Sequence, residues 1–196
     1  VSDGAAWSPW ATSNTVVSGC TFLRNNATNR AGALDNFGQA QIASSRFLDN
    51  RAEILGGALD NSHLGAALTM HSCEVRGNRA QFGGGLLNSA ATSLVACDIT
   101  DNQATQGGAV FNEGGAFSAT ARNLWQSTQE GYMILIACTL ARNSASGVTV
   151  RSTTDSNHSF SFAGGTLYNS GTIDFTSGTT LSVDATHNHS DLVGQA

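Results

Sequence analysis

The sequence predicts an all-β fold, a right-handed parallel β-helix with turns of about 24–28 residues joined by asparagine ladders, and three observations carry that expectation. Asparagine closes the repeated pieces "LDN", "LDN", "LLN" and "VFN" at Asn36, Asn61, Asn88 and Asn112, so the steps are 25 (61−36), 27 (88−61) and 24 (112−88). A second asparagine track runs in phase with the first through "FLRN", "FLDN", "VRGN", "ITDN" and "LARN", at Asn25, Asn50, Asn78, Asn102 and Asn143. Glycine pairs keep the same beat at Gly56-Gly57, Gly83-Gly84, Gly107-Gly108 and Gly164-Gly165, with "TLYN" ending at Asn169 as a later copy.

Composition points the same way. Only 12% of the 196 residues are charged, and 22 Gly beside abundant Ser, Thr and Asn suit strands and turns rather than a helical bundle. The length suits one domain of about six or seven such turns. All nine basic residues are arginine and the net charge is −5, which argues against a phosphate-tracking surface, so no nucleic-acid partner is expected. The longest apolar cluster, "MILIA" at 133–137, falls far short of the ~20 residues that span a bilayer, so no membrane insertion of this segment is expected. The chain begins at Val1 without an initiator methionine or a signal peptide, as expected of a processed protein or a piece of a longer one.

Residues 1–17 read as an N-terminal cap. "AWSPWATSN" brings Trp7, Pro9 and Trp10 ahead of the first clear turn, and a solenoid needs bulk at its open end to block further strand addition. The WxxW spacing also matches the tryptophan C-mannosylation motif of secreted eukaryotic proteins.

Residues 18–146 carry the repeats. Successive turns of a parallel β-helix stack ~4.8 Å apart, so equivalent asparagines become neighbours whose amides satisfy backbone groups that a bend would leave bare. The glycines supply bends that a Cβ would obstruct. Cys20, Cys73, Cys97 and Cys138 each stand five residues before a second-track asparagine, and Ser45 fills the slot in the remaining turn. Parity with Val75 and Ile99 turns this column inward, as small buried thiols; a disulfide between neighbouring turns is conceivable at that spacing but disfavoured by side chains that point the same way. Without a CxxC or a nearby histidine, no metal site or other cofactor is expected.

The motifs resemble the chlamydial polymorphic outer membrane protein repeat, defined by GGA[ILV] and FxxN tetrapeptides. "GGAL" (56–59) and "GGAV" (107–110) match the first, with "AGAL", "GGGL" and "GGTL" as near copies, while "FLRN" (22–25) and "FLDN" (47–50) match the second. The resemblance covers roughly residues 18–146, with echoes to about 184. It implies an extracellular or cell-surface β-helix, often adhesive in that family; the C-terminal barrel translocator of the family has no counterpart here.

The step from Asn112 to Cys138 is 26 (138−112) where that from Asn88 to Cys97 is 9 (97−88), so a loop of about 17 extra residues is expected within 113–137. Its Arg122, Asn123, Trp125, Gln126 and Tyr132 suit stacking on a sugar or anchoring a protein partner, and the plainer alternative has Trp125 and Tyr132 folding back as a cover. Residues 147–196 read as degenerate last turns and a C-terminal tail, which holds "HNH" at 187–189. Three N-x-[ST] triplets, at Asn26, Asn157 and Asn188, are glycosylation candidates.

Parallel β-helices also host polysaccharide-cleaving enzymes, which need paired acids. Asp35 and Asp60 are the one such column pair, and parity points both away from the core; two carboxylates at that spacing either share a proton or attract a cation such as calcium. Arg46 and Glu74 share the column after the cysteines and are expected to pair across turns. The expected function is a non-catalytic adhesive or structural module of a larger surface or appendage protein, with a protein or glycan partner. The alternative is a lyase- or hydrolase-like carbohydrate-active enzyme using Asp35 and Asp60.

Overall fold

Five-residue pieces such as "QAQIA" and "ATSLV" alternate inward and outward side chains, three-residue pieces such as "TFL" follow after a two-residue bend, and neither is long enough to do more than form one side of a turn. The computed structural model describes residues 14–112 and 132–146, together with the strands Leu167–Asn169, Thr172–Phe175 and Thr180–Leu181. Every strand pairing is parallel, and the described residues contain no helix.

Three faces enclose the core of this parallel β-helix. The first stacks Asn14–Ser18, Gln39–Ala43, Ala67–His71, Ala91–Val95, Tyr132–Ile136 and Thr172–Phe175. The second stacks Thr21–Leu23, Arg46–Leu48, Glu74–Arg76, Asp98–Thr100, Thr139–Ala141 and Thr180–Leu181. The third stacks Leu34–Asp35, Leu59–Asn61, Leu86–Asn88, Val110–Asn112 and Leu167–Asn169. Four turns are complete between Asn14 and Asn112, and the remaining strands carry the first two faces into a sixth. The strand Asn14–Ser18 already belongs to the first turn, so the wall begins inside the segment expected to be cap; Trp7, Pro9 and Trp10 lie outside the described residues.

Inward positions of the faces meet in one core. Ile42, Met70, Leu94 and Leu135 come from the first face, Phe47, Val75, Ile99 and Leu140 from the second, and Leu34, Leu59, Leu86 and Val110 from the third. Like residues stack on like: Phe22 and Phe47 lie face to face with ring centroids 4.7 Å apart. The cysteine column occupies the bend between the first two faces, where Cys73, Cys97 and Cys138 are buried and Ser45 is fully enclosed. Cys20, in the first turn, is exposed instead. All four thiols are free.

The asparagine ladders are the main polar skeleton. In the track that follows the second face, the backbone N–H and Nδ2 of Asn50 both donate to Asn78 Oδ1, at 2.8 and 3.0 Å, while Nδ2 also donates to the Phe22 carbonyl oxygen at 3.0 Å. Asn78 repeats the pattern onto Asn102 and Phe47, and Asn102 repeats it onto Asn143 and Val75. Each buried carboxamide therefore accepts from the turn on one side and donates to both. The other track runs Asn36 to Asn61 to Asn88 to Asn112 through Nδ2–Oδ1 bonds of 2.8, 2.9 and 2.6 Å. Between ladders the bends are left-handed and in register, at Arg24, Asp49, Gly77, Asp101 and Arg142 before one track, and at Gly19, Ser44, Ser72, Ala96 and Ala137 before the cysteine column. At the glycine pairs, Gly83 takes φ +66, and a Cβ on Gly57 would meet the Gly84 carbonyl of the next turn.

Two outcomes follow. Asn78→Ala strips donors and acceptors from three turns of a fully buried ladder and lowers stability by about 3–5 kcal/mol, whereas Asn25→Ala, at the exposed end of the same ladder, costs less than about 1 kcal/mol. Paired denaturant melts of the two variants check this. Ala96 is exposed at φ +51, so Ala96→Gly raises stability by about 0.5 kcal/mol, the relief of ~1–2 kcal/mol of left-handed strain being offset by glycine's backbone entropy; a lowered melting midpoint would refute that sign.

Candidate functional site

The outward side of the third face is not a surface. Tight bends at the glycine pairs lay the column Arg30, Leu55, Phe82 and Gln106 over the column Asp35, Asp60, Leu87 and Phe111, making a second, outer layer. Asp35 and Asp60 do point away from the main core, yet they are only 2% and 0% exposed, which corrects the expectation of an open carboxylate pair. Parity fixes the direction of a side chain, but not whether another segment covers it.

In the first two turns this layer is ionic. Arg30 Nε lies 2.8 Å from Asp60 Oδ2 and 3.6 Å from Asp35 Oδ2, and its Nη2 donates to Ser62 Oγ at 2.7 Å. His63 reaches back across the turn, with Nε2 2.8 Å from Asp35 Oδ1 and its ring stacked on Phe37 at a centroid separation of 3.3 Å. Burial pushes the Asp35 carboxyl above the usual range and the Asp60 charge adds to it, against the His63 hydrogen bond and the Arg30 charge. Asp35 Oδ2 and Asp60 Oδ1 have no hydrogen-bond partner. From Leu55 of the second turn onward the same layer is apolar, Leu55, Leu87 and Phe111 packing together and Phe82 meeting Phe111 edge to face at 5.4 Å.

Arg30 and His63 escaped sequence reasoning. A signal existed for Arg30, which immediately precedes the bend in the slot of Leu55, Phe82 and Gln106. His63 had none, because the loop that carries it, residues 62–66, is longer than its counterparts at 36–38 and 89–90.

The cysteine column is a chain of hydrogen-bonded thiols, in which bonding to Cys97 pulls the Cys73 and Cys138 thiols below their ordinary range. Cys73 Sγ donates to the Ile42 carbonyl at 3.6 Å and Cys138 Sγ to the Leu94 carbonyl at 3.3 Å. Cys97, between them, has its thiol pushed up by hydrogen bonding to Cys138 and Cys73 and by burial, so it holds its proton. On the second face, Arg46 Nε and Glu74 pair across turns at 2.8 Å as expected, and Arg142 holds the carboxyl of Asp101 below the usual range.

Of the expected binding residues, Arg122, Asn123, Trp125 and Gln126 lie outside the described residues. Tyr132 is not in a loop: it opens the first-face strand Tyr132–Ile136, in register with Ala91, with its side chain 42% exposed. The extra residues are thereby confined to 113–131. Asn26 is exposed on a two-residue strand beside Arg51, while Asn157 and Asn188 fall outside the described residues.

An exposed polar groove of about 190 Å³ lies at the corner between the second and third faces, lined by Arg79, Gln103, Thr105, Ser144 and Ser146 with the small side chains of Ala80, Ala104 and Ala145. The corner column that feeds it runs Asn26, Arg51, Arg79, Gln103, Ser144 in register. Among the described residues, no cluster of three histidine, cysteine or acidic side chains is arranged to hold a metal ion.

Fold and surface together define a parallel β-helix repeat protein. No family model, curated protein or solved structure matches the chain.

Charge burial makes a sharp test. Arg30→Ala leaves two enclosed carboxylates without a cation and destabilises the fold by about 3–5 kcal/mol at pH 7. Because the folded state raises the Asp35 pKa, it takes up that proton before the unfolded chain does, so the penalty is smaller at pH 5. The triple change Arg30→Leu, Asp35→Leu, Asp60→Leu copies the apolar layer of the later turns and is neutral or stabilising by ~1–4 kcal/mol. Urea midpoints at the two pH values read both outcomes.

Proposed function

We propose that this chain is a non-catalytic extracellular module, adhesive or structural, of a larger surface or appendage protein, akin to the chlamydial polymorphic outer membrane protein repeats that its GGA[ILV] and FxxN motifs resemble. The observation that carries the reading is how the ionisable groups are deployed. The enclosed carboxylate pair, the one feature on which polysaccharide cleavage would rest, is engaged with Arg30 and His63 under an outer layer. At the corner between the second and third faces, polar side chains from Asn26 and Arg51 to Ser144 repeat at turn spacing, presented by a wall whose ladders leave it little freedom. Such a wall suits a spacer or a docking surface for a glycan or a protein.

Incubation with a panel of acidic and neutral polysaccharides, assayed for new reducing ends and for unsaturated products, tests the reading. The expected result is no turnover by the wild type. Cleavage that disappears in the Asp35→Asn, Asp60→Asn double variant would replace the module with a carbohydrate-active enzyme.

A further inference from the structure

We propose that Arg51 and Arg79, with the corner groove that continues from them, bind an anionic polysaccharide lying along the solenoid axis, its acid group on the arginines and its hydroxyls on Gln103, Thr105, Ser144 and Ser146. This names the ligand of the adhesive reading above and rests on it. The first observation is what the two arginines lack. Arg30, Arg46, Arg76 and Arg142 each have a carboxylate oxygen within 3.0 Å, whereas among the described residues Arg24, Arg51 and Arg79 have neither an ion pair nor a side-chain hydrogen bond, and of these only Arg51 and Arg79 stand side by side. Both are exposed, and they stand directly in register, where like charges repel. An anion seated between the two guanidinium forks removes that repulsion and gains bidentate hydrogen bonds. Glu53, on the neighbouring outward column, is one acid against two arginines, and past it that column continues with the uncharged Gln81, Thr105 and Ser146.

The groove settles what kind of anion. Its volume of about 190 Å³ is below the ~300–1,000 Å³ of an enclosed small-molecule pocket, as suits a polymer held along one side by a row of shallow subsites. The polar lining is amide and hydroxyl beside the Arg79 guanidinium, which matches sugar hydroxyls. An extended peptide would need free backbone groups at a sheet edge, but here the corner backbone is paired turn to turn, Ala52 N–H to Arg79 oxygen at 3.0 Å and Ala80 N–H to Gln103 oxygen at 3.2 Å.

Immobilised polygalacturonate (carboxylate), heparin (sulfate), dextran (neutral) and polyglutamate (acidic peptide) are the probes, with binding read by interferometry. Variants are Arg51→Gln, Arg79→Gln and Arg46→Gln, the last removing the same charge from the second face. Neither corner arginine holds another side chain and each repels the other, so their variants keep the wild-type melting midpoint or raise it slightly. The expected result is binding to one or both acidic polysaccharides and not to dextran, weakened at least about tenfold by Arg51→Gln or Arg79→Gln and less than about twofold by Arg46→Gln. Binding to polygalacturonate alone assigns a carboxylate, to heparin alone a sulfate. Failure on both, an equal loss in Arg46→Gln, or polyglutamate bound as tightly would overturn the proposal. Attachment to neutral glycans that ignores both arginines would keep the module reading and sink this one; arginine-dependent binding followed by chain cleavage would keep the site and sink the module reading.

Discussion

A parallel stack of short strands has one recurring problem: at each bend the backbone turns out of the sheet and its N–H and C=O groups lose their strand partners. Here the asparagine carboxamide solves it, because a single side chain of the right length carries two donors and an acceptor with two lone pairs. Asn78 takes the backbone N–H and the amide of Asn50 on its oxygen, and gives its own amide hydrogens to Asn102 and to the Phe47 carbonyl. Neighbouring turns are thereby fixed in height and in phase at once. Core packing, bend geometry and the outer layer all presuppose that register, since a slip of one residue would turn every inward side chain out.

Register converts sequence position into columns, and each column can be chosen almost independently. The outer layer of the third face makes the point: one slot is Asp, Asp, Leu, Phe in successive turns, covered by Arg, Leu, Phe and Gln. The ionic half costs desolvation that Arg30 and His63 offset, and the apolar half needs no such compensation. Both halves serve the same end, closing the outer side of the glycine bends. The exposed corner column follows another rule, with Arg51 and Arg79 left uncompensated. Buried charge here is architectural, and unpaired surface charge is where a partner gains most.

Much of this was legible in the sequence, since periodicity of about 25 residues leaves few alternatives for so many asparagines and glycines. Both ladders, the buried Cys73, Cys97 and Cys138 and the Arg46–Glu74 pair appear at the residues expected, while Cys20, expected in the same buried column, is exposed. Three features were not legible, each for a physical reason. Asp35 and Asp60 are enclosed because a second segment packs on the far side of their strand, and alternation along one strand carries no information about that. Tyr132 belongs to a strand rather than an insertion because "YMILI" satisfies the first-face pattern, so the extra residues end before it. His63 entered through a lengthened loop that breaks the repeat, where position ceases to predict neighbours.

Hydrogen exchange of the asparagine side-chain amides tests most directly whether the ladders hold the turns together. The Nδ2 protons of Asn50, Asn78 and Asn102 should exchange only through the same opening that frees the backbone amides of Phe47, Val75 and Ile99 beside them, and with equal protection. Fast exchange of those carboxamides while the strand amides stay protected would show that the stack stands without its ladders.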